Sequence, residues 1–153
     1  MERIASFNVD HTVLLPGLYL SRRDGDVVTF DLRFKRPNTG DLLSNSEMHS
    51  TEHLIATLLR NSAAKDAVVY FGPMGCQTGF YFLFDSAQLS CAAAIELLKE
   101  VFRAGAAFDG PMPGQSAVEC GNYANLDVNA GKAVCAYYAD IIANWTEAQL
   151  SYN

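Results

Sequence analysis

The chain has 153 residues, half of them hydrophobic and 18% charged, with a net charge of −6 and an isoelectric point near 4.9. This fits one globular domain, residues 1–153, and excludes both a disordered chain and a phosphate-backbone partner, which would need a clustered basic face. No run approaches the roughly 18 apolar residues of a membrane span. The start, Met1-Glu2-Arg3-Ile4-Ala5-Ser6-Phe7, lacks the apolar core of a secretory signal, so the expected location is the cytoplasm, with no nucleic-acid or membrane partner.

Taken in order, the apolar run 13–20 predicts a strand that Pro16 pushes to a sheet edge or a bulge. Asp24-Gly25 makes a hairpin turn. Residues 27–34 then alternate, with Val28, Phe30, Leu32 and Phe34 on one side and Thr29, Asp31 and Arg33 on the other. That period of two predicts a strand with one buried face. Residues 45–61 predict a helix, because Ser44 and Glu47 have capping-box spacing and Asn61 can end it. Two aromatic-rich strands follow at 67–71 and 79–84, then a helix at 87–104, a Pro/Gly loop at 109–114 and a helix at 127–144. The order predicts an α+β fold, an antiparallel sheet with helices packed on one face.

The predicted first helix carries His49-Ser50-Thr51-Glu52-His53. At 100° per residue, His49 at zero puts His53 at about 40°, Glu52 at about −60° and Arg60 at about 20°. Met48, Thr51, Leu54, Ile55, Leu58 and Leu59 fall on the other side. One face is therefore core, and the other presents two imidazoles, a carboxylate and a guanidinium. Histidines one turn apart can bind one metal. The chain has only three histidines, and two of them make this pair.

Cytosolic cysteines serve as metal ligands, reactive thiols or small buried hydrophobes rather than disulfides. Of the four, Cys120 follows the Pro/Gly loop and precedes a helix, where it can supply a third ligand. Two histidines, a thiolate and an open position are a catalytic arrangement suited to zinc or ferrous iron. Cys76 lies between glycines in Pro73-Met74-Gly75-Cys76-Gln77-Thr78-Gly79, exposed and able to move protons. Cys91 and Cys135 read as packing residues.

The blocks His49-Ser50-Thr51-Glu52-His53-Leu54, Pro73 to Gly79 and Cys120-Gly121, in this order, resemble the S-ribosylhomocysteine lyase (LuxS) family. Ser6-Phe7-Asn8-Val9-Asp10-His11 and Phe30-Asp31-Leu32-Arg33-Phe34 resemble two further motifs of that family. The resemblance implies metal-assisted isomerisation and β-elimination of S-ribosyl-L-homocysteine. The products would be L-homocysteine and 4,5-dihydroxy-2,3-pentanedione, precursor of the autoinducer-2 signal, with either quorum sensing or recycling in the methyl cycle as the purpose. It further implies one divalent metal per chain on His49, His53 and Cys120, with iron(II) native and zinc as a substitute. Cys76 and Glu52 would be the acid/base pair. Ser6, His11, Arg33 and Arg60 would contact substrate, some across a homodimer with shared active sites. One position departs: many relatives carry an acidic residue where this chain has Tyr70.

Two other readings use the same residues. An H-x-x-E-H metallopeptidase would take its third ligand from Glu96, Glu100 or Glu119. A purely structural metal site would close its fourth position with Cys76.

Overall fold

The hairpin turn sets the register of the first two strands, and through them the rest of the sheet. The computed structural model describes residues 1–152. Strand β1 (Gly17–Asp24) and strand β2 (Val27–Arg33) flank the two-residue loop Gly25-Asp26, where Gly25 takes φ +60°, a conformation a Cβ would strain. With Asp24 opposite Val27, the pairing runs back to Gly17 opposite Arg33. The first strand therefore begins four residues later than the apolar run suggests, just beyond Pro16. It is an edge strand, as the proline predicts, but its bulge falls between Leu20 and Arg22.

Strands β3 (Val68–Pro73) and β4 (Gly79–Asp85) complete an antiparallel sheet of order β1-β2-β4-β3. Val28, Phe30 and Leu32 of β2 and Phe80, Phe82 and Phe84 of β4 are fully buried on the face that meets the helices. Each such side chain contributes about 1.5–3 kcal/mol by leaving water. The predicted arrangement, an α+β fold with helices on one face of an antiparallel sheet, is the one observed.

Helix α1 (Asn45–Arg60) has the capping box that Ser44 and Glu47 predict: Glu47 N donates to Ser44 Oγ, Ser44 N donates to Glu47 Oε1, and Asn61 is the C-cap. Helix α2 (Cys91–Ala106) starts four residues later than predicted, because Ser90 is the N-cap. The residues before it turn on the Asp85 carboxylate, which accepts from Ala87 N and Gln88 Nε2. Helix α3 (Val128–Ile142) starts from Asp127, whose side chain accepts from Asn129 N and Ala130 N. Gly131 lets α3 lie close on α1, since a Cβ there would come within 2.9 Å of Leu54 Cδ1. Tyr138 of α3 stacks on Phe34 with ring centroids 3.9 Å apart, anchoring this layer to the end of β2. Among the described residues, no helix is long and apolar enough to cross a membrane.

The expectation of a single buried face on β2 is corrected by the structure. Thr29, Asp31 and Arg33 point away from the helices, yet all three are buried. The row Tyr19, Asp31, Tyr81, Gly72 crosses the sheet on this second face. Tyr152 folds onto it, stacking on Tyr19 and donating to Asp31 Oδ2 at 2.7 Å. Polar alternation marked the face correctly. Its burial depends on a residue far away in sequence.

Candidate metal centre

The α1 cap fixes where the helix begins, and so where His49 and His53 stand one turn apart. Their rings lie 4.7 Å apart, centroid to centroid, and perpendicular. Each is oriented from behind. His49 Nδ1 donates to Asn125 Oδ1 at 2.5 Å, and His53 Nδ1 donates to the Pro113 carbonyl at 2.7 Å. Both partners are acceptors, because the Asn125 amide nitrogen is spent on Asn45. With Nδ1 carrying the proton, Nε2 of each ring keeps its lone pair for a metal.

Cys120 enters from the other side. Its sulfur is 3.3 Å from His49 Nε2 and accepts from Asn122 N at 3.5 Å. The loop before it packs tightly: Gly114, at φ +70°, leaves only 3.0 Å between an added Cβ and His53 Nδ1. The turn after it, Tyr123–Asn125, is pinned to α1 by Ser46 Oγ donating to the Asn125 carbonyl at 2.6 Å. The ligand atoms of His49, His53 and Cys120 lie within 4.8 Å of one another. Ligands around a tetrahedral zinc-like ion stand about 3.3–3.6 Å apart. The donor set fits one such ion with little movement. Glu52 sits half-buried on the same helix face.

A second group forms at the end of the sheet. Arg33 holds Asp31 through a double contact, Nε to Oδ1 at 3.1 Å and Nη2 to Oδ2 at 2.6 Å, with both side chains 3% exposed. Its Nη1 donates to Thr78 Oγ1 at 2.7 Å and reaches Cys76 Sγ at 3.8 Å, while the Cys76 and Thr78 side chains are 3.0 Å apart. Burial works against the Arg33 charge, but the Asp31 carboxylate together with Cys76 and Tyr152 outweighs it and holds the guanidinium above its ordinary range. Cys76 is exposed.

The remaining predicted residues are dispersed. Ser6 lies in a short turn, Ala5–Phe7, at the rim of a cavity of about 410 Å³ with Ile4, Thr29, Tyr70, Tyr81 and Leu83 on the second sheet face. His11 is half-buried and its Nδ1 donates to the Val9 carbonyl. Arg60 shares the helix face of the histidines but lies about 10 Å further along the axis than His53. There it donates to the carbonyls of Val68 and Val69, steadying the start of β3. Tyr70 is half exposed at the cavity. Cys135 is fully buried, its thiol pushed up to about 12 by desolvation, and Cys91 begins α2. Both pack, as expected.

Sequence reasoning missed Asn125, Pro113, Asp31, Thr78 and Tyr152. Thr78 lies inside the block around Cys76, Asp31 inside the block Phe30 to Phe34 and Pro113 inside the Pro/Gly loop, whereas Asn125 and Tyr152 carried no local signal. The glutamates a peptidase would need are elsewhere engaged or exposed: Glu96 pairs with Lys99, Glu119 accepts from Ser116, and Glu100 faces solvent on α2. Cys76 is held by Thr78 and Arg33 and stands outside the three-ligand group.

The comparisons agree with this geometry. Residues 4–149 match the family model described as S-ribosylhomocysteinase (LuxS). The S-ribosylhomocysteine lyase of Clostridium beijerinckii is 46% identical, that of Desulfotalea psychrophila 44% and that of Finegoldia magna 41%, each alignment covering 99% of both chains. A match of this length and identity, over a chain that gathers two histidines and a cysteine into one candidate metal group, places the protein in the LuxS family of S-ribosylhomocysteinases.

Proposed function

We propose that the chain is an S-ribosylhomocysteine lyase, splitting the thioether of S-ribosyl-L-homocysteine into L-homocysteine and 4,5-dihydroxy-2,3-pentanedione, the autoinducer-2 precursor. The observation that carries this reading is the group of His49, His53 and Cys120, two of them on the helix that carries Glu52, in a chain matched over 99% of its length by lyases of that name.

The thioether carbon of the substrate is the fifth ribose carbon, and its sulfur leaves only when a carbonyl stands two carbons away. The carbonyl must therefore move from the first carbon to the second and then to the third. In each move a base takes the proton from the carbon next to the carbonyl, and an acid returns one to the old carbonyl carbon. Cys76 carries these protons, its sulfur held by Arg33 and Thr78. With the ketone at the third carbon, Glu52 removes the proton at the fourth, and homocysteine departs as its thiolate. A divalent ion held by His49, His53 and Cys120 would supply Lewis-acid stabilisation of the negative charge on the sugar oxygens. Iron(II) is the native ion in this reading, with zinc as a substitute, and the enzyme works in the cytoplasm.

The proposal includes a homodimer. The second sheet face offers a cavity lined by Ile4, Tyr70, Tyr81 and Leu83, and Phe7 stands 62% exposed nearby in sequence. An apolar face with such an edge suits a second copy of the chain. Ser6, His11, Arg33 and Arg60 are the substrate contacts in this reading, and Arg60 also donates to the carbonyls of Val68 and Val69 at the start of β3.

The test is incubation of the purified protein with S-ribosylhomocysteine and a thiol reagent, with and without a chelator. Metal-dependent release of homocysteine is expected. No release from metal-loaded protein would sink the proposal, and elemental analysis of anaerobically purified protein checks the ion.

A further inference from the structure

Arginine carries five N–H donors in a rigid fork, and in Arg33 one edge of that fork is taken by Asp31 while Nη1 serves Thr78 and Cys76. The direction in which Nη1 points is therefore set by the Asp31 carboxylate. That carboxylate is 3% exposed, so its own orientation rests on its hydrogen bonds rather than on water. One comes from outside the sheet, from Tyr152 Oη to Oδ2 at 2.7 Å.

Tyr152 is delivered by a built segment. Leu20 N of β1 donates to the Leu150 carbonyl at 2.8 Å, and Leu150 is buried. The Tyr152 ring stacks on Tyr19 with centroids 5.1 Å apart and planes 20° from parallel. From these contacts we propose that Tyr152 is a positioning residue for Cys76: through Asp31 it aims the Arg33 guanidinium at the sulfur. The proposal rests on the lyase reading for its kinetic consequence only.

The hydroxyl acts as a donor throughout. Burial, and then the Asp31 charge, push Tyr152 far above the ordinary tyrosine range. Removing the hydroxyl leaves a buried carboxylate oxygen short of a partner, so the carboxylate turns or admits water, and the fork of Arg33 turns with it.

Tyr152→Phe keeps the ring stack and removes only the donor. Alkylation of Cys76 by iodoacetamide, followed by peptide mass without substrate, should slow about tenfold, the size of one lost hydrogen bond to a charged group. In the lyase assay kcat should fall by a similar factor, beyond any change in KM that comes through the Arg33 substrate contact, with metal content unchanged. Tyr19→Phe is the control: it keeps the stack but loses a bond to the Leu15 carbonyl instead, and should leave Cys76 at the wild-type rate. Wild-type alkylation and kcat in Tyr152→Phe would overturn the proposal. So would a rise in KM alone, or an equal loss in Tyr19→Phe, which would mean general loosening of the face. If the wild-type protein releases no homocysteine while Tyr152→Phe still slows alkylation, the positioning role stands and the lyase reading fails.

Discussion

Glu52 lies in sequence between the two imidazoles of the candidate metal centre, yet its carboxylate is outside the group of ligand atoms that His49, His53 and Cys120 bring together. A carboxylate placed beside a metal rather than on it suits proton transfer. Glu52→Gln should keep full metal occupancy and lose about 10²–10⁴ in homocysteine release, the usual worth of one acid/base group. Loss of metal together with activity would make Glu52 a ligand or its support. Cys76 allows a sharper separation, because its proposed task precedes C–S cleavage. Cys76→Ala should fold and keep its metal, but fail to exchange the sugar's second-carbon proton with solvent, measured by NMR. Given the chemically supplied 3-keto intermediate, the same variant should still release homocysteine, since Glu52 remains. Wild-type proton exchange in Cys76→Ala would remove the thiol from the mechanism.

Between residue and molecule stand the elements that aim these groups, and the turn Tyr123–Asn125 is the most informative. It carries no ligand, but Asn125 Oδ1 fixes the ring of His49. Asn125→Ala should weaken metal binding about 10- to 100-fold, read by competition with a chromophoric chelator, while the melting temperature of the metal-free protein barely moves. Unchanged affinity would show that α1 alone orients the imidazole. This division also explains what was legible in the sequence. Ser44, Glu47 and Asn61 act on their own helix, so its bounds were readable, and with them the spacing of His49 and His53. Cys120 was readable from the loop before it. Asn125, 76 residues from His49, and Tyr152, 121 residues from Asp31, act only after the chain has folded. Alternation in β2 likewise marked two faces, but not that a buried ion pair would close the second. The first strand was misplaced because hydrophobicity pointed to 13–15, whereas the register from the Gly25 turn selects Ser21-Arg22-Arg23-Asp24, polar residues that an edge strand accepts.

At the scale of the whole molecule, the two chemical groups stand on different elements. His49, His53 and Glu52 belong to α1, packed with α2 and α3 on one side of the sheet, whereas Arg33 is buried on the opposite face and the Cys76 thiol it touches sits in the loop between β3 and β4 at the sheet's end. The proposed reaction needs both groups on one sugar, and the proposed second copy, seated at the cavity beside Ile4 and Tyr70, is the means of bringing them together. Mixing tests this without disturbing the buried Asp31–Arg33 pair, whose separation would leave an uncompensated charge. Cys76→Ala and Cys120→Ala homodimers should each be inactive. Unfolded and refolded together in equal amounts, half the dimers should be mixed. If thiol and metal ligands serve one site from opposite chains, each mixed dimer holds one intact site of two, and activity should return to about a quarter of wild type. If each chain builds its own site, every site in the mixture carries one defect and activity stays at background. Sedimentation should show the dimer in both parents, and recovery should depend on subunit exchange, appearing on co-refolding but not on simple mixing of stable dimers. A background rate after verified exchange would defeat the shared-site arrangement while leaving the lyase assignment intact.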